Sequence, residues 1–113
     1  MSEQGVAIAK RIWVNPEKML RNRRRITGKV DTASTKKDLY VGAYVARTII
    51  VSNDSNTPAW FEIYDGAEKV IGRKSLAAWD NWRMENVWLP FSSSVGLNSD
   101  ATTTILTCGG FTP

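Results

Sequence analysis

From residue 39 onward the chain is divided into short runs rich in β-branched and aromatic residues, each closed by turn-forming residues, and this rhythm constrains the fold more than any other feature. Residues 39–51 (LYVGAYVARTIIV) hold one or two strands and end at Ser52-Asn53-Asp54-Ser55-Asn56-Thr57-Pro58, a cluster in which every residue type favours local turn geometry. Residues 59–64 (AWFEIY) form the next run. Asp65-Gly66 then supplies a hairpin dipeptide before Glu68-Lys69-Val70-Ile71, so a hairpin is expected over 59–71. The segment 75–84 (SLAAWDNWRM) fits a short helix by its Leu76, Trp79 and Trp82 spacing, or a strand with an irregular connection; the second is preferred. Residues 86–91 (NVWLPF) read as a strand with Pro90 marking an edge or bulge, and 101–108 (ATTTILTC) as a β-branched closing strand after a polar loop. Short strands at this spacing predict an all-β fold, a small antiparallel β-sandwich or jelly-roll-like barrel. A chain of 113 residues suits one such domain with an appendage.

The appendage is basic. Residues 1–30 hold eight Lys or Arg against two Glu (+6), whereas residues 31–113 hold seven against nine Asp or Glu (−2), so the formal charge of +4 belongs to the first quarter. Two units follow: a basic N-terminal arm over 1–30, containing a strand, a short helix or both, and a β-sandwich domain over 31–113. Within the arm, Gly5 to Val14 has strand composition, while Asn15 and Pro16 suit the start of a helix. Thr27 to Lys37 (TGKVDTASTKK) lacks apolar periodicity and reads as a linker.

Several chemistries find few materials here. Histidine is absent, which removes the commonest general base and metal ligand. The single cysteine, Cys108, has no histidine to activate it and is expected to be a small packed side chain in the last strand. The carboxylates Glu62, Asp65, Glu68, Asp80 and Glu85 show no spacing that selects an acid/base pair, and surface positions are expected for them. Asp65 and Glu68 beside the turn lack the ligand spacing of a calcium loop. A non-enzymatic protein with no catalytic residue, metal or cofactor is expected. No export leader opens the chain, and no apolar run approaches the length of a membrane span.

Four stretches together resemble a known group. Ile49-Ile50-Val51-Ser52-Asn53, then Phe61 through Ala67 (FEIYDGA), then Leu89-Pro90-Phe91 with Gly96-Leu97, and the Thr-rich strand at 102–107 are similar to the small β-sandwich accessory proteins of tailed bacteriophage particles. Those proteins decorate or cement the capsid or sit at its vertices, neck or tail. The resemblance covers roughly residues 45–110 and leaves the basic segment outside it. It implies a virion component made in the host cytoplasm, a homo-oligomer (a trimer or ring), and contact with the major capsid protein or another virion protein.

Two sets of residues are candidates for partner binding. Lys18, Arg21, Arg23, Arg24, Arg25 and Lys29 concentrate fixed positive charge in one short segment, which attracts the carboxylates of a protein partner or the phosphates of nucleic acid. A solvated tail that only promotes solubility is the plainer alternative. Trp79 and Trp82, flanked by Asp80, Asn81 and Arg83, are the candidates for an aromatic surface, whereas Trp60 and Trp88 are expected in the core or an interface. Besides the virion reading, the arm allows a nucleic-acid-binding module, and the tryptophans allow a carbohydrate-binding β-sandwich.

Overall fold

The structure is a computed structural model that describes residues 21–30 and 35–113. The expected strand at 5–14, the helix start at 15–17, and Lys18 lie outside the described residues. Among the described residues ten strands follow one another: β1 (Thr27–Val30), β2 (Lys37–Val41), β3 (Tyr44–Ala46), β4 (Thr48–Asn53), β5 (Ala59–Asp65), β6 (Glu68–Leu76), β7 (Asn81–Met84), β8 (Leu89–Phe91), β9 (Ser94–Ser99) and β10 (Thr103–Cys108). They pair antiparallel throughout, in two four-stranded sheets of order β1-β10-β4-β7 and β2-β9-β5-β6, with a two-stranded ribbon β3-β8. The expected all-β class is what forms, and of the two architectures anticipated it is the sandwich.

Alternation explains why the sheets face each other. Along β4, Ile49, Val51 and Asn53 are buried while Thr48, Ile50 and Ser52 are half-buried on the other side; along β10, Thr103, Ile105 and Thr107 point inward. Phe61 and Ile63 of β5 and Val95 and Leu97 of β9 meet them from the second sheet in one continuous core. Trp82 of β7 reaches across to Phe61, ring centroids 5.3 Å apart. The expected 59–71 hairpin is β5-β6. Its turn residues are Gly66 and Ala67, with Asp65 and Glu68 as the last ladder pair and Gly66 at φ 60°, a conformation that side chains with a Cβ resist. The segment 75–84 is strand, turn and strand, as preferred over a helix.

Several stretches behave differently from their sequence expectation. The polar loop expected over 92–100 holds β9, a strand buried between β2 and β5 because Val95 and Leu97 face the core while Ser94, Gly96 and Ser99 are small enough to be covered. The presumed linker 27–37 contributes β1, which pairs with β10 from Thr27↔Leu106 to Val30↔Thr103, and the start of β2. Both are edge strands, and β1 buries only Val30, so the apolar periodicity that would reveal a strand is missing. Residues 27–30, grouped above with the arm, are thus hydrogen-bonded into a sheet. Glu62, expected on the surface, is buried at 3% exposure. It does lie on the outer face of its sheet, but Lys69 Nζ (3.0 Å) and Arg73 Nε (3.3 Å) fold over it, and the Tyr64 hydroxyl donates to it at 3.0 Å.

Candidate functional site: an arginine cleft at the base of the sandwich

Arg23 and Arg24 are held by backbone bonds to the far end of the chain. The Arg24 amide donates to the Gly110 carbonyl (2.9 Å), the Thr112 amide to the Asn22 carbonyl (3.0 Å), and the Asn22 side-chain amide to the Thr112 carbonyl (3.0 Å). Phe111 forms bridges to both Arg23 and Val45, so residues 22–24, 110–112, β3 and β8 make a small sheet at the base of the molecule. Phe111 is buried, with Trp88 packed edge-on at 5.4 Å.

A buried hydrogen-bond relay fixes the segment from below. The Ile26 amide donates to Thr107 Oγ1 (2.8 Å), that hydroxyl lies 2.8 Å from the Tyr44 hydroxyl, and Tyr44 donates to the Arg24 carbonyl (2.7 Å). Each oxygen in the relay has a partner, which is what burial of polar groups requires. Tyr44 is fully buried, and burial raises its phenol above the ordinary value. Gly110 permits the arrangement, since a Cβ there would overlap the Tyr44 hydroxyl.

On this base Arg23, Arg24 and Arg25, with Cys108 and Gly109, line a cleft of about 490 Å³. The Arg24 guanidinium stacks over the Tyr40 ring at 4.6 Å, which orients it. None of the ion pairs among the described residues involves Arg21, Arg23, Arg24 or Arg25: the pairs are Lys36–Asp38, Lys69–Glu62, Arg73–Glu62 and Arg83–Glu85. Several like charges are therefore gathered on a hydrogen-bonded backbone with no ion-pair partner among the described residues, an arrangement suited to an anionic partner. Lys29, on β1, does not line the cleft. Cys108, expected to be packed, is exposed at the cleft, because it is the outward-facing last residue of β10.

The two candidate tryptophans do not form one surface. Trp82 is half-buried against Phe61, and Trp79 is 68% exposed on the turn between β6 and β7. Trp79 has φ 63°, a left-handed conformation unfavourable for a bulky side chain. It is held there by Asn53, whose side-chain amide donates to the carbonyls of Thr57 (2.8 Å) and Ala77 (3.0 Å), and by its own amide donating to Ser55 (3.2 Å). Trp60 faces outward under Arg73, whose guanidinium lies 3.7 Å from the ring centre. The Asp65 carboxylate is taken up in the fold: it accepts from the amides of Ser92 (3.0 Å), Ser93 (2.8 Å) and Ser94 (3.3 Å) and from the Ser92 hydroxyl (3.1 Å).

Fold and site together define an antiparallel β-sandwich carrying a clamped arginine cleft. No protein-family model matches the chain, and no curated protein is significantly similar to it.

Proposed function

We propose that this chain is a non-enzymatic structural protein that docks on an acidic protein surface through the arginine cleft, and that the surface belongs to a tailed-phage particle, as a capsid decoration, cement or other accessory component. The observation that carries the docking reading is the clamp: guanidinium groups that serve only solubility need no fixed backbone, yet residues 22–26 are bonded to 107, 110 and 112. A preorganised cationic surface loses less side-chain freedom on binding and fixes the register of the partner. The virion reading rests on the sequence resemblance of residues 45–110 and on the compatibility of a small sandwich with that role.

The test is mass spectrometry of purified phage particles from the host in which the gene is found, followed by stripping the protein and adding it back. Stoichiometric presence, with rebinding by the parent and loss of rebinding by Arg23→Ala/Arg25→Ala, is the expected result. Absence from particles overturns the virion reading. Unimpaired rebinding by the double variant overturns the role of the cleft.

A further inference from the structure

The sandwich has a second end with the opposite charge. At the end away from the arginines, the loops 53–58, 77–80 and 100–102 are tied together: the Asn53 amide donates to the Asp80 carbonyl (2.8 Å), Asp54 to Thr102 (2.9 Å) and Trp79 to Ser55 (3.2 Å). These same loops carry Asp54, Asp80 and Asp100 as well as the exposed Trp79. Their carboxylates make only local hydrogen bonds, to Thr104, to the Asn81 amide (2.8 Å) and to the Trp60 amide (2.9 Å). None joins an ion pair among the described residues.

Strand β10 measures the distance between the two ends. It leaves the acidic end at Thr103, opposite Asn53, and reaches the arginine cleft at Cys108, opposite Thr48. Six residues at about 3.4 Å each span roughly 17–20 Å. That exceeds the screening length of about 8 Å at physiological salt, so the two ends cannot neutralise each other within one molecule. A second copy can bring them together.

We infer that the acidic, Trp79-bearing end of one copy docks into the arginine cleft of the next, joining copies of this chain head to tail. Trp79 supplies the apolar anchor and a ring face for a guanidinium, and the three aspartates meet Arg23 and Arg25. The contact is between unlike surfaces, so it closes into a ring where the rotation per copy permits and extends as a chain where it does not. This rests on the reading of the cleft as a site for acidic protein and names a partner for it.

Light scattering of the full chain tests it with two one-faced variants, Arg23→Glu/Arg25→Glu and Trp79→Gly/Asp80→Lys. The parent should form multimers at low salt that dissociate at high salt. Each variant alone should be monomeric at protein concentrations where the parent is assembled, its association weakened about tenfold or more. An equimolar mixture should give a dimer and nothing larger, because one intact cleft and one intact acidic end remain. Unchanged near-ultraviolet circular dichroism in both variants shows that folding is retained.

A parent that stays monomeric at low salt, variants that assemble like the parent, or a mixture with no dimer overturns the inference. Failure of the underlying cleft reading is separate, because particle rebinding reports it directly. Loss of rebinding in Arg23→Glu/Arg25→Glu with a monomeric parent keeps the cleft and rejects self-association, whereas unimpaired rebinding together with unchanged mass rejects both.

Discussion

Trp79 occupies backbone that glycine adopts freely, with φ 63°, and its indole is 68% exposed. Burial therefore returns little of the roughly 1 kcal/mol that a left-handed conformation costs an L-residue. Trp79→Gly should accordingly raise stability, by up to about 1 kcal/mol, measured by urea unfolding of the monomer at high salt. A fall of similar size would show that the ring makes contacts worth more than the strain. Sequence spacing placed Trp79 and Trp82 three residues apart but held no sign of which ring would cross to Phe61. The same limit applied to Glu62: alternation with Phe61 and Ile63 put it on the outer face, as found, but not the Lys69, Arg73 and Tyr64 groups that close over it. In the arginine segment the cationic character was legible and the clamp was not. Its partners at 107, 110 and 112 are a Thr, a Gly and a Thr, residues that announce nothing about a contact so distant in sequence.

At the level of elements, the strands that could be read were those with an inward face. β4, β5 and β10 alternate apolar or Thr residues against the core, and the β5-β6 turn carries the glycine that its geometry needs. β1 and the first two residues of β2 escape the reading because an edge strand can be held by one neighbour's hydrogen bonds with few buried side chains, and β9 escapes it because its Ser, Gly and Asn residues resemble a polar loop although the strand is central and buried. The element that decides the site is the 22–26 segment, seated by the relay through Thr107 and Tyr44. Tyr44→Phe leaves the Arg24 carbonyl without its side-chain donor and removes one partner of the Thr107 hydroxyl. It should cost about 1–3 kcal/mol globally. Because the substitution acts at the clamp, amide exchange at Arg24 and Ile26 should accelerate more than exchange in β4 or β5. Uniform acceleration across all strands would show that Tyr44 serves the core as a whole and holds no separate clamp.

Across the whole molecule, titration follows from which groups gain partners on folding. Burial alone would raise Glu62, but the hydrogen bonds from Lys69 and Tyr64 and the charges of Lys69 and Arg73 outweigh it, and its acidity is shifted below the ordinary carboxylate value. Asp65 is likewise lowered, the amides of Ser92, Ser93 and Ser94 overcoming its burial. A depressed folded value means stabilisation that is complete above the unfolded value of about 4 and is lost as pH falls through the folded one. Tyr44 acts oppositely: its raised value means stability present below about pH 10 and lost as pH climbs through the folded value. The molecule should therefore weaken at both extremes. Since Lys69 and Arg73 are half-exposed, Glu62→Gln should cost only about 1–2 kcal/mol at neutral pH. The variant should also show a shallower loss of thermal midpoint between pH 5 and pH 3, roughly the span over which carboxylates titrate. An acid limb identical to the parent's would mean that Glu62 has no share in it. The clamp also sets an order of events during synthesis. Asn22 and Thr112 lie 90 residues apart, so at about 5–20 residues per second roughly 5–18 s separate synthesis of the arginines from synthesis of the segment that seats them. The cleft can take its defined shape only after residues 110–112 have been made and have paired beneath the arginines.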